Sequence, residues 1–183
     1  MFLKERFRWK PEEGELALEL PNKEYPNLKK IGEIVVDPGQ KVALYEDGNP
    51  RPSILSEGTH KVPKETIKII FVTVGSKEGI YGVRKGMIFK KRGFSGKLTL
   101  NIWDDDERVE SFIEKIVLGH GIKTLKELAH WLVYHYIVPA FKELIVKNAI
   151  SEEAFRERWI EICNEVIHEI NPLIIDCGLY LEN

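Results

Sequence analysis

The chain has 183 residues, 43% of them apolar and 31% charged, with a formal net charge of −2. That length and composition fit one large domain, or two small lobes, with a real core. The near-neutral balance excludes a molecule that attracts nucleic acid or anionic lipid over its whole surface. No apolar run reaches the roughly 20 residues that a membrane-spanning helix needs. Cys163 and Cys177 form no CxxC pair and no disulfide framework, which points to a reducing compartment. No signal-peptide pattern opens the chain. The expected location is cytoplasmic, with contact at the inner face of a membrane at most peripheral.

Residues 1–10 alternate aromatic and basic side chains. Phe2, Leu3, Phe7 and Trp9 among Lys4, Arg6, Arg8 and Lys10 have the composition of an interfacial membrane or partner contact. The competing reading, an arm that packs Phe7 and Trp9 onto the domain, is favoured, because so short a segment buries little in a bilayer. Residues 16–20 then alternate like a strand before Pro21 and Pro26 break the pattern.

Glu33–Val36 and Lys41–Glu46 read as strands joined by Asp37-Pro38-Gly39-Gln40, with Pro and Gly placed as a type II turn requires. Gly48 closes the second strand, and Gly58 and Pro63 punctuate the next segment. Residues 66–74, TIKIIFVTV, predict a central strand buried on both faces. Two short strands are expected at Ile80–Val83 and Met87–Lys91, and a half-buried one at Ser95–Trp103.

From Asp104 the pattern becomes helical. Asp104 and Glu107 suggest a capping box, Val109, Phe112, Ile113, Ile116 and Val117 a buried stripe, and Gly119 a left-handed stop. Thr124 and Glu127 suggest the start of a second helix, which Pro139 should kink. Ser151 caps a third helix with the stripe Phe155, Trp159, Ile162, Cys163, Val166 and Ile170, expected to end at Asn171-Pro172. A strand-like piece at residues 173–181 closes the chain.

Few patterns suggest chemistry. Glu127-x-x-His130 and Glu165-x-x-His168 match half of a di-metal bundle site. At about 100° per residue, however, Glu127 points away from the stripe of its helix, and Glu165 and His168 lie off theirs. No GxSxG elbow, phosphate-binding loop or HExxH is present, and the glycines of residues 75–96 are not spaced as GxGxxG. His60 reads as a turn residue that bonds backbone. Residues 77–97 carry seven basic side chains against the single acid Glu78. With Tyr81, Phe89 and Phe94 interleaved, the basic hairpin 84–97 offers a second functional reading as a single-stranded nucleic-acid surface. Lysines guarding a sheet edge explain it more simply. Lys85, Lys90, Lys91 and Arg92 are then an assembly or partner surface. No cofactor is expected, and nucleic acid is not the expected partner.

With these residues laid out, a family resemblance can be stated. Glu33-Ile34-Val35-Val36, Pro38-Gly39-Gln40, Val42-Ala43 and Gly48 resemble the opening of the stomatin/prohibitin/flotillin (SPFH, or band 7) domain. Gly58-Thr59-His60 and Pro63 resemble its Gly-x-His segment and following proline, although Glu57 stands where the family usually has proline. Trp9, Leu20-Pro21-Asn22, Tyr81-Gly82 and Met87-Ile88 resemble the prokaryotic virion-core-protein-like branch. The likeness covers about residues 9–181, and it rests on the order of short motifs. It implies an α+β fold: a curved, mainly antiparallel sheet, a three-helix lobe and a final short strand. The expected division is an arm and leading strand over residues 1–30 and an SPFH-like domain over 31–183, with a β-rich lobe (31–103) and a helical lobe (104–183). It further implies a non-enzymatic scaffold that forms homo-oligomers and organises membrane-proximal or protein partners. No catalytic residues carry over.

Overall fold

The run of β-branched and apolar residues from Thr66 to Thr73 forms the central strand of the first half, as its composition predicts. The structure, a computed structural model, describes residues 4–90 and 92–182. Phe2, Leu3 and Lys91 lie outside the described residues. The fold is α+β, with mainly antiparallel strands followed by helices and a last short strand. It comprises two compact units, Met1–Gly75 with Ile102–Thr124, and Ser76–Asn101 with Leu125–Asn183. These units cut across the expected boundary at residue 103. The first helix belongs with the early strands, and the strands of residues 76–101 belong with the later helices, because the C-terminal strand completes their sheet.

The first unit contains β1 (Glu5–Arg8), β2 (Ala17–Leu20), β3 (Ile31–Val36), β4 (Gln40–Glu46), β5 (Ser53–Leu55), β6 (Gly58–Lys61) and β7 (Thr66–Thr73). They form two sheets, ordered β1-β3-β6 and β2-β7-β4-β5. β1 runs parallel to β3; the remaining pairs are antiparallel, with Val42 opposite Phe71 and Leu44 opposite Ile69. β3 and β4, expected as partners across a tight turn, do not pair with each other. The turn passes the chain from one sheet to the other. Gly39 takes φ +75°, and Gln40 N–H donates to the Asp37 carbonyl at 3.1 Å. Gln40 is itself buried and donates through Nε2 to the Trp9 carbonyl at 3.4 Å.

One core cluster gathers Phe7, Trp9, Ile34, Val36, Val42, Leu44, Ile69 and Phe71. Successive strand residues point to opposite faces, so Ala43, Ile70 and Val72 are buried on the other side. The α1 helix (Asp106–Phe112) and the π-helical turn Ile113–Leu118 carry the buried stripe read from sequence. The N-cap is Asp105 rather than Asp104, and its carboxylate accepts from Arg108 N–H at 3.1 Å. Gly119 keeps a right-handed φ of −69°, and the left-handed residue is Gly121 at +68°. The π-helical turn carries the helix past Gly119 before the chain reverses.

In the second unit, β8 (Gly75–Val83) and β9 (Phe94–Ile102) join β10 (Leu179–Leu181) in the order β10-β9-β8. The strand expected at Met87–Lys91 does not form in its described residues. Residues 84–89 satisfy their backbone locally instead, with Gly86 N–H to the Phe89 carbonyl at 2.9 Å and Met87 N–H to the Arg84 carbonyl at 3.1 Å. Gly86 adopts φ +88° there.

The helices are α2 (Leu125–Leu132), a π-helical turn (Val133–Ile137), α3 (Val138–Lys147), α4 (Glu152–Glu157) and α5 (Trp159–Ile174). Pro139 is the second residue of α3, directly after the π-helical turn, and the helical backbone runs on past it. Ser151 Oγ accepts from Ala154 N–H at 3.1 Å, as its position predicts. Asn171-Pro172 does not end α5, which continues to Ile174. Pro172 and His168 are exposed, so water can bond the carbonyl that the proline leaves unpaired. Gly178, at φ +73°, makes the final turn into β10. That strand is held by the Asn171 amide, which accepts from Leu181 N–H at 2.7 Å and donates to its carbonyl at 3.0 Å.

Candidate functional site: an aromatic cleft in the second unit

Four aromatic rings brought together from distant parts of the chain define the site. Phe94 opens β9, Phe141 lies on α3, Phe155 on α4 and Trp159 at the start of α5. Phe94 meets Trp159 with centroids 5.2 Å apart and Phe141 at 5.4 Å. Phe141 and Trp159 stack nearly parallel, 10° apart in plane and 6.2 Å between centroids. Phe155 packs edge-on against both, and Phe89 joins it at 4.9 Å. Such offset and edge-to-face pairs follow the quadrupoles of the rings.

Local sequence explains the placement. The Ser151 cap starts α4 so that Phe155 turns inward, and the break at Arg158 restarts the helix with Trp159 beside it. Gly93 lets the segment after β8 close tightly: a Cβ there would stand 2.4 Å from the Val83 carbonyl oxygen. A Cβ at Gly96 would stand 3.0 Å from the Tyr81 ring, so that glycine makes room for the tyrosine.

The rings border a cavity of about 690 Å³ that is open to solvent. Its lining is aromatic and aliphatic, with charged groups at Arg92, Lys97, Glu152, Arg156 and Glu182. Burial pushes the Tyr81 hydroxyl up to about 12, and the nearby Cys163 adds to the effect. Burial likewise pushes the Cys163 thiol up to about 11, so it faces the cleft as a neutral, weakly nucleophilic group. Arg92 pairs with Glu152 at 3.2 Å, and Lys97 with Glu78 at 3.5 Å. Arg156 is exposed and forms no ion pair among the described residues.

The residues singled out from sequence fall elsewhere or take other roles. Phe7 and Trp9 are 8% and 5% exposed, in the core of the first unit. They pack onto the domain, as the favoured arm reading expects, and are not exposed as a membrane or partner contact at these two positions would require. The cause is the parallel pairing of β1 with β3, which turns Phe7 inward against Phe71 and Tyr25. The same pairing turns Arg6 and Arg8 outward onto Glu33 and Asp37 at 3.0 and 2.7 Å.

Lys85 and Lys90 are exposed, whereas Arg92 is held by Glu152. Tyr81 is buried, and Phe89 and Phe94 are half-buried and pack on helix aromatics. Gly48 (φ +78°) occupies a turn, Gly58 (φ +136°), expected in one, instead opens β6 opposite Val36, and the Pro63 carbonyl accepts from Thr66 N–H at 3.3 Å. His60, expected in a turn, lies in β6 opposite Ile34, and its ring is 2.7 Å from the Ser56 carbonyl oxygen.

Glu127, His130, Glu165 and His168 are exposed. Among the described residues no three His, Cys, Asp or Glu side chains are grouped to hold a metal ion. No helix among the described residues is long and apolar enough to cross a membrane. Sequence reading placed Phe155, Trp159 and Cys163 in a helix stripe but did not find the cleft. The available signal was the i,i+4 pair Phe155 and Trp159 together with two phenylalanines flanking a basic turn. Compared with known families and curated proteins, the chain matches no family model and no curated sequence.

Proposed function

We propose that the protein is a non-catalytic scaffold domain of the stomatin/prohibitin/flotillin type, which associates with copies of itself beside protein or membrane partners in the cytoplasm. The order of turns and strands over residues 31–63, followed by capped helices, supports the family reading. One observation carries the assembly reading. β8 is nine residues long and ends its sheet, so its outer edge has no strand partner among the described residues. At its middle, Ile80 is 82% exposed. A long strand edge that carries an apolar side chain is a template for pairing with another chain, and proteins usually blunt such edges. The nucleic-acid reading is weakened, because Tyr81 is buried and Phe89 and Phe94 pack edge-on against helix aromatics.

Light scattering across a concentration series tests the proposal. The wild-type chain is expected to form a defined oligomer, and Ile80→Lys to reduce it to monomer. A wild-type chain that stays monomeric at high concentration overturns the assembly reading.

A further inference from the structure

We propose that the aromatic cleft of the second unit binds a single-chain anionic amphiphile, a fatty-acid-like carboxylate, with its alkyl chain among Phe94, Phe141, Phe155 and Trp159 and its head group at Arg156. This site is independent of the assembly reading.

Three observations select this occupant. The first is chemical. The cleft is lined mainly by rings and aliphatic side chains, with Ser95, Thr99 and Asn164 as its uncharged polar side chains, so apolar contacts outnumber hydrogen-bonding partners. Alkyl chains need no such partners and gain from every carbon removed from water. The second is size. A volume of about 690 Å³ lies within the range of about 300–1,000 Å³ typical of small-molecule sites. A docked helix would need an extended groove.

The third is charge. Among the described residues Arg92 pairs with Glu152, Lys97 pairs with Glu78 and Glu182 accepts from Ser76 Oγ at 3.2 Å, whereas Arg156 forms no ion pair. A guanidinium with no carboxylate of its own is the natural partner for an anionic head. The mouth also keeps an apolar track outside the cavity, because Ile160, which lines it, is 72% exposed.

The test titrates the full chain with dodecanoate, below the concentration at which it forms micelles, and follows binding by calorimetry. One saturable site per chain is expected. Decanoate, shorter by two methylenes, should bind about tenfold more weakly. Dodecanol, which lacks the charge, should bind several-fold more weakly than dodecanoate, and Arg156→Ala should abolish that difference. Ile160→Glu should weaken dodecanoate binding at least tenfold, while Leu173→Glu, an exposed position on α5 away from the cleft, should leave it unchanged.

Ile160 and Arg156 are exposed, so both variants should keep the wild-type melting temperature, measured alongside. The proposal is overturned if no saturable binding occurs, or if both cleft variants bind dodecanoate like wild type. It is equally overturned if the chain binds no dodecanoate and Ile160→Glu dissociates an oligomer, which would assign the cleft to a second copy of the chain.

Discussion

The Phe94 ring meets the Trp159 indole edge-on, with planes at 72°, and so ties the first residue of β9 to the first residue of α5. This contact joins positions far apart in sequence, and few local interactions can replace it. Phe94→Ala should lower the unfolding free energy by about 2–3 kcal/mol, less than for a fully buried ring because Phe94 is partly exposed. Phe94→Leu, which keeps much of the volume, should cost about half as much. Urea denaturation followed by tryptophan fluorescence measures both. Equal losses in the two variants would show that ring geometry, and not volume, carries the contact.

Two glycines are predicted to resist alanine for different reasons. Gly39 has φ +75° and open space where a Cβ would sit, so Gly39→Ala should cost about 1 kcal/mol through backbone strain alone. Gly39→Asn should cost less, because asparagine tolerates the left-handed region. Gly93 meets backbone at 2.4 Å, and Gly93→Ala should cost about 2–3 kcal/mol by forcing the β8–β9 connection apart. The order of thermal midpoints of the three variants decides between strain and steric exclusion.

Acid should destabilise the first unit through two carboxylates. The forked hydrogen bonds from Arg8 hold Asp37 below its usual 3.8. Burial tends to raise Glu19, but Lys123 at 3.0 Å and Lys68 at 3.3 Å outweigh it and hold the group below its usual 4.5. A carboxylate with a lowered folded pKa contributes stability that is present above its unfolded value, and the contribution is lost as pH falls through the folded one. Stability should therefore hold near neutrality and decline as pH drops below 4.5, then further below 3.8. Glu19→Gln should be less stable at pH 7 and show a shallower acid decline. Urea midpoints between pH 7 and pH 2 would reveal it, and an unchanged slope would remove Glu19 from the account.

Ile80→Lys separates assembly from folding. The side chain contacts little of its own chain, so the substitution should move the unfolding free energy by no more than about 0.5 kcal/mol. A charge on a strand edge opposes pairing with another strand, so the oligomer should be lost in sedimentation runs where the wild type associates. A variant that unfolds at markedly lower urea would instead mean that Ile80 supports the sheet itself.

Short-range features of this chain were legible from residue order alone. The turn at Asp37–Gln40, the cap at Ser151, the stripe from Val109 to Val117 and the strand Thr66–Thr73, buried on both faces from Ile69 onward, each depend on neighbours within about one turn or one strand. There, backbone stereochemistry and hydrophobic period act directly. Gly119 and Pro172, expected to end helices, do not, because a π-helical turn and an exposed carbonyl let the chain continue past them.

Only the tertiary structure decided which strands pair, which partners Phe7 and Trp9 pack against, and that Phe94, Phe141, Phe155 and Trp159 surround one cleft. A strand edge bonds any backbone equally well, and an apolar side chain accepts any apolar neighbour. Partners are therefore chosen by which arrangement covers the most apolar surface at once, a property of the whole chain that no local window contains.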